Sequence, residues 1–374
     1  MNIELKQPLR TAKSRLAIVD CDIHPRASLE DLRPYLSNHW WHYIQTYGLR
    51  PRHGHVKGYP FPKPTPLASR RDSWPPGGGP PASDLDFVRT QHLDHYGIEH
   101  GVMNPLAPSG QGDQNVGLSI ALASAINEWQ IEDWVRREPR LKASVVVPYE
   151  DAEASVAEIR RRAGNRDFAH VLLLSRTSEA LGRRRYWPIY AAAERLKLPL
   201  GIHAGSSYRH PVTALGWPSF YVEDYVAQAQ GFQSQVASLI SEGVFAKFPA
   251  LKVVLMESGI TWLPGFLWRF SKYWRGLRSE VPWVDRAPEE IVRDHFRLTL
   301  QPFDAPPDLV ERTIEHLRSD DMLLYSSDFP HWQFDGDDPV PDGIPPALRR
   351  KILVENPVAT YNRLKGLSSE EDVR

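Results

Sequence analysis

Asp20, Asp22 and His24 fall in DCDIHP, His203 in GIHAGS, Glu257 in VVLMESG, and Asp328 and His331 in SSDFPH. Each group stands where an apolar, β-branched run ends. Side chains alternate across a strand, so Asp22 and His24 face the same side. Carboxylates and imidazoles converging from separate strand ends can hold a divalent metal and leave a coordination position open for water or substrate. The chain therefore reads as an enzyme.

Counting back by twos places small or apolar residues beneath each polar one: Leu255 and Val253 under Glu257, Ser326 and Leu324 under Asp328, Gly201 under His203. One such residue alone is as readily a capping or hydrogen-bonded group as a ligand. Four strand ends obeying one rule favour a shared site. By the same parity Asp20 points inward, one layer below Asp22, where a carboxylate needs a partner and could orient a ligating histidine. Cys21 then faces the outer helices as a structural residue.

The elements that must position these groups alternate along the chain. Strands are predicted at 17–24, 98–104, 142–147, 168–174, 199–203, 251–257, 296–302 and 322–328. Amphipathic stretches of helical length lie between most of them, at 114–138, 151–164, 187–197, 222–242 and 307–317. Eight strands with helical crossovers predict an α/β fold, a single (β/α)8 TIM-like barrel whose reactive groups come from the C-terminal strand ends. Two segments break the alternation: 51–85, rich in Pro and Gly, and 205–221, directly after His203. Both are read as irregular cap or partner-contact loops at those strand ends. Neither is a flexible linker, so residues 1–374 are taken as one domain.

Composition narrows the function. Apolar residues make up 41% and charged residues 24%, a globular balance that needs no disulfide staple. The single cysteine suits a reducing, cytoplasmic setting. A net charge of −1 gives no electrostatic case for nucleic acid or an anionic membrane, and no stretch has the length and apolarity of a membrane span. Most tryptophans fall in helical patterns, whereas Trp74, Trp217 and Trp332 stand in loops where they could wall a pocket for an apolar or aromatic substrate.

Taken together, the first-strand acid/His element, the fifth-strand His203, the sixth-strand Glu257 and the eighth-strand Ser327–His331 resemble the amidohydrolase-related branch of the amidohydrolase superfamily. That branch holds metal-dependent enzymes of the aminocarboxymuconate semialdehyde and γ-resorcylate decarboxylase type, and the resemblance runs over about 17–365. It implies that Asp22, His24, His203 and Asp328 bind metal, with Glu257 a further ligand or a base where many members have histidine. Asp328, Glu257 and His331 are the implied catalytic groups, and oligomers, a homodimer or larger, are the implied assembly. No lysine stands at the end of the fourth strand to bridge two metals. Arg176 lies there instead, to clamp a substrate carboxylate or to form a loop salt bridge.

Three functions follow. The preferred one, by a small margin, is a hydrolase in which metal-activated water attacks a small carboxylated or cyclic molecule, with a closely related non-oxidative decarboxylase beside it. The second is a dinuclear Fe or Fe/Mn monooxygenase, with Glu257 as bridge and His331 as added ligand. The third is a metal-binding partner subunit of a hetero-oligomer. The expected cofactor is a divalent ion, Zn2+ first, with Mn2+ or Fe2+ suited to an oxygen-rich ligand set, and one or two ions per chain.

Overall fold

The computed structural model describes residues 17–49, 68–113, 115–205, 210–332, 338 and 340–364. Residues 51–67 of the first irregular segment and 206–209 of the second therefore lie outside the described residues. Eight parallel strands run in the order β1 to β8: Ile18–Ile23, Ile98–Met103, Leu141–Val146, Phe168–Leu174, Leu200–His203, Val253–Met256, Phe296–Thr299 and Leu323–Leu324. Each matches a predicted run, because a strand buried on both faces is written as a near-continuous apolar stretch. The ring closes between first and last strands through main-chain bonds from Cys21 N to Tyr325 O and from His24 N to Phe329 O. The result is a (β/α)8 barrel.

Helices fill the crossovers where the apolar periodicity placed them, including Val116–Trp129, Ala152–Arg162, Trp187–Arg195, Tyr221–Ser241 and Val310–Leu317. Asp151 caps the second of these by accepting from Ala154 N, and Asn115 caps the first by accepting from Leu118 N. The barrel interior is close-packed. Gly201 has no side chain because a Cβ there would lie 2.6 Å from both His170 Nε2 and the Met256 methyl.

The far mouth, at the N-terminal strand ends, is closed by the end of the described chain. Arg363 donates to the carbonyls of Asn165 and Phe168, and Asn362 donates to that of Lys197. Tyr361 is fully buried with its ring 5.7 Å from that of His170. Among the described residues no helix is long and apolar enough to cross a membrane.

Strict alternation fails at two places that matter. The β1–β2 register steps three residues on β1, Asp20 to Ile23, against two on β2, Gly101 to Met103. One extra residue there is a bulge. It turns Asp20 outward, onto His92 of the helical turn Arg89–Asp94, and turns the Cys21 thiol onto the Tyr361 hydroxyl. The expected placements of Asp20 and Cys21 are thus exchanged, and Asp20 orients no ligating histidine. On β6 it is Met256 that faces the interior, its sulfur 3.5 Å from Asn104 Nδ2. Glu257 is the next residue, yet it reaches the same side because its φ of 55° breaks the alternation.

Candidate metal centre

Asp22 and His24 leave the end of β1, His203 ends β5, Glu257 follows β6, and Asp328 and His331 follow β8. The barrel brings all six together at its C-terminal mouth. His24 Nε2 lies 3.3 Å from Asp22 Oδ1, 3.6 Å from Glu257 Oε1 and 2.9 Å from Asp328 Oδ1. His203 Nε2 lies 3.3 Å from Glu257 Oε1 and 3.6 Å from Asp22 Oδ2. His331 Nδ1 lies 2.6 Å from Asp328 Oδ1 and 3.3 Å from Glu257 Oε1.

Two overlapping quartets have ligand atoms within 4.8 Å of one another: Asp22, His24, His203 and Glu257, and His24, Glu257, Asp328 and His331. A metal fits here on the chemistry of the donors. Asp22 Oδ2, His203 Nε2, Glu257 Oε1 and Asp328 Oδ2 are buried and have no hydrogen-bond partner among the described residues. Three converging carboxylates out of water are costly unless a cation joins them.

The tautomers are set by the backbone. His24 Nδ1 donates to Asn104 O at 2.8 Å, and His203 Nδ1 donates to Ala204 O at 2.7 Å. Each ring therefore turns its Nε2 toward the site, where a metal would take the place of the proton that Glu257 and Asp22 favour on His203. The Asn104 amide also donates to Asp22 Oδ1 at 2.8 Å, so one residue at the end of β2 aims both β1 ligands.

Electrostatics divide the carboxylates. Burial raises Asp22, but His24 and His203 outweigh it and hold the group below the usual carboxylate range. Glu257 is likewise pushed up by burial and drawn well below its ordinary value by His203 and His331. Asp328 is raised to about 6, first by burial and then by the charge of Glu257. His331 is raised to about 10 by Asp328 and Glu257, which outweigh the desolvation of its ring. Asp328 is thus the acid poised to carry a proton near neutrality, with His331 beside it.

Asp328 is held in a left-handed turn, φ 56°, which costs a non-glycine residue some strain and needs support from its surroundings. That support comes from Asp20. Its carboxylate accepts from Ser327 N at 2.9 Å, Ser327 Oγ at 2.5 Å and His92 Nε2 at 2.8 Å. The His92 ring stacks on Phe329 at 4.5 Å. Asp20, His92 and Ser327 are all fully buried. They form a clamp on the backbone either side of Asp328.

A cavity of about 490 Å3 opens onto His24, His203, Glu257 and His331. Its walls include Arg26, Gln111, Leu106, Leu122, Tyr225 and Gln228. The described part of the first irregular segment runs along the rim, where Ser69 pairs with His331 and Arg26 N donates to Ala82 O.

Arg176, Trp217 and Trp332, expected as substrate contacts, are absent from that lining. Arg176 is spent on a buried ion pair, Nη2 to Asp224 Oδ2 at 2.6 Å, and Asp224 is the member that reaches the wall. Trp332 is 43% exposed and leans on Tyr225, ring centres 6.0 Å apart. Arg26 and the helix face Tyr221, Asp224, Tyr225 and Gln228 were missed. Both carry a signal: Arg26 lies two residues past His24, and positions i, i+3, i+4 and i+7 share one helix face. His92 has none, since it sits at no strand end.

A family model described as Amidohydrolase matches residues 19–363. The chain belongs to the amidohydrolase family. A γ-resorcylate decarboxylase of Rhizobium radiobacter is 23% identical over 261 residues, covering 67% of this chain and 79% of the relative. Among solved structures, an amidohydrolase from Mycobacterium avium subsp. paratuberculosis superposes with a TM-score of 0.70 at 22% identity, covering 92% of this chain and 99% of that one. A 5-carboxyvanillate decarboxylase from Novosphingobium aromaticivorans, complexed with manganese and 4-hydroxy-3-methoxy-5-nitrobenzoic acid, gives 0.65 at 18% identity, with 93% and 96% covered. This amidohydrolase-family chain shares their fold and carries a His/Asp/Glu cluster suited to a divalent metal.

Proposed function

We propose that the protein is a metal-dependent carboxy-lyase acting on small aromatic carboxylic acids, with Mn2+ as its ion. The observation that carries this reading is Asp328. It is a buried acid with a raised pKa, hydrogen-bonded to His24 and His331, at a site where three carboxylates converge on three histidines. The named relatives, aromatic-acid decarboxylases, support carboxy-lyase chemistry over the hydrolase favoured by the motifs alone. A ligand set rich in oxygen supports Mn2+ over Zn2+.

Asp22, His24, His203 and Glu257 would hold the ion, with Asp328 available to it. When bound, it supplies a Lewis acid for the substrate's oxygens. The quartets share the one Nε2 lone pair of His24, which favours a single ion over the dinuclear monooxygenase arrangement.

The chain's own residues do the rest. Arg26 on the cavity wall faces the acid's negative charge, and Leu106, Leu122 and Tyr225 offer apolar surface to its ring. Asp328 delivers its proton to the ring carbon that bears the carboxylate. The new C–H bond forms, the C–C bond breaks, its electron pair restores the ring, and CO2 leaves. His331, 18% exposed and hydrogen-bonded to Asp328, returns a proton from the rim.

The test is a panel of hydroxybenzoates offered to Mn2+-reconstituted enzyme, with CO2 release and loss of ultraviolet absorbance as readouts. CO2 from at least one member, abolished in Asp328→Asn, is the expected result. Turnover of lactones or amides with the aromatic acids left intact would return the reading to a hydrolase.

A further inference from the structure

A second cavity of about 490 Å3 lies on the opposite face of the barrel, where β6, β7 and β8 begin. Five cations line it: Lys252 before β6, Arg293 before β7, Arg297 on β7, Arg318 before β8, and Arg286. Its two carboxylates are engaged. Asp294 pairs with Arg286, and Asp321 lies 3.1 Å from Lys351 Nζ, which is not part of the lining.

Among the described residues, Lys252, Arg293, Arg297 and Arg318 make no ion pair within 4.0 Å. Lys252 Nζ and an Arg297 nitrogen donate only to main-chain carbonyls in this structure, those of Asp294, and of Arg293 and Phe296. His295 adds no positive charge here. Its Nδ1 donates to Leu251 O, and its Nε2 accepts from Arg286 at 3.3 Å.

Like charges gathered in a half-buried recess repel one another. Burial, followed by Arg297 and Arg286, draws Lys252 below the ordinary lysine range, and burial lowers Arg297 from the ordinary arginine value. An anion would relieve both. The lining also selects the kind of anion, since Pro249 is its one apolar member and no surface is offered to an aromatic or aliphatic body. Guanidinium groups approaching from several chain segments suit the tetrahedrally disposed oxygens of a phosphate.

We propose that this recess is a binding site for a small free phosphoanion, inorganic phosphate or pyrophosphate, separate from the metal centre. The site spans the starts of the strands whose other ends lead to Glu257 and Asp328. Its occupant therefore ties together the segment of the barrel from which the two catalytic acids emerge.

Titration calorimetry of the metal-loaded protein with inorganic phosphate, at constant ionic strength, tests this. Saturable one-to-one binding is expected. It should weaken by about tenfold for each cation removed in Lys252→Gln and Arg297→Gln, and remain unchanged in His203→Ala. The exposed Arg318→Gln is the companion variant that leaves the interior untouched, with a smaller weakening expected, and melting curves confirm that each variant is folded. Wild-type affinity in the folded Lys252→Gln/Arg297→Gln double variant would overturn the site. So would binding lost in His203→Ala, which would put the phosphate on the metal. Heat that follows ionic strength alone, with no saturation, would overturn it too.

Discussion

The two mouths of this barrel are built from the same strands and have opposite chemistry. At the C-terminal mouth, Asp22, Glu257 and Asp328 converge, two of them in left-handed backbone, and four polar atoms are buried without a hydrogen-bond partner among the described residues. At the N-terminal mouth, Tyr361 and Leu364 are fully buried, Arg363 is bonded to three carbonyls, and the free charge is positive. Left-handed Glu257 and Asp328 at the C-terminal mouth are acids of the cluster itself, whereas left-handed Lys197 and Arg318 at the other end only terminate helices ahead of β5 and β8. The closed end spends its polar groups on holding strands in place.

Several changes would break or sharpen this contrast. The largest effect is expected at the open mouth. His24→Ala or His203→Ala should abolish metal retention and lower kcat/KM by about 10³-fold or more, because each removes an Nε2 aimed by a backbone carbonyl. Metal counted per chain by elemental analysis checks this, and stoichiometric metal in both variants would refute the ligand assignment.

Next in size is Asp20→Asn, which touches neither metal nor cavity. It replaces an acceptor of bonds from Ser327 and His92 with a group that offers one oxygen. A loss of about 3–5 kcal/mol is expected from breaking a buried charged network. A fall in kcat with little change in KM should accompany it, since the backbone turn that aims Asp328 loosens. Denaturant unfolding and steady-state kinetics separate the two. Wild-type kcat in the folded variant would show that the clamp does not position Asp328.

The smallest effect belongs to the closed mouth. Glu138, just before β3, accepts from Arg140 and Arg89 and is held near 2 by these partners, Arg140 foremost, against burial. A carboxyl lowered in the folded state stabilises above its unfolded pKa of about 4.5. That contribution is lost as the pH falls from there through about 2. Glu138→Gln should therefore cost about 1–2 kcal/mol at pH 7 and flatten the acid limb of stability below pH ~4.5, with no effect on turnover. Melting temperature against pH reads this out, and an unchanged acid limb would count against the pairing.

Much of the fold was legible in the chain because each buried strand is an apolar run and each crossover helix has its own periodicity. All eight strands lie where the pattern placed them, and the six polar residues at their ends meet at one mouth. The barrel class and the residue types gathered at its mouth were thus set by local sequence, through burial and the rule that reactive groups leave the C-terminal strand ends.

Three things were decided only by tertiary structure. The β1 bulge exchanged Asp20 and Cys21, because register depends on the neighbouring strand and not on the strand itself. Glu257 entered the site through a left-handed turn rather than by alternation, which no two-residue count could show. Of the two readings of Arg176, clamp or salt bridge, the structure shows the ion pair, and its partner Asp224 is 48 residues away and brought beside it only by packing. Sequence determined which groups could do chemistry; the partners that set their direction, charge and freedom came from distant segments, and only the folded chain supplies those.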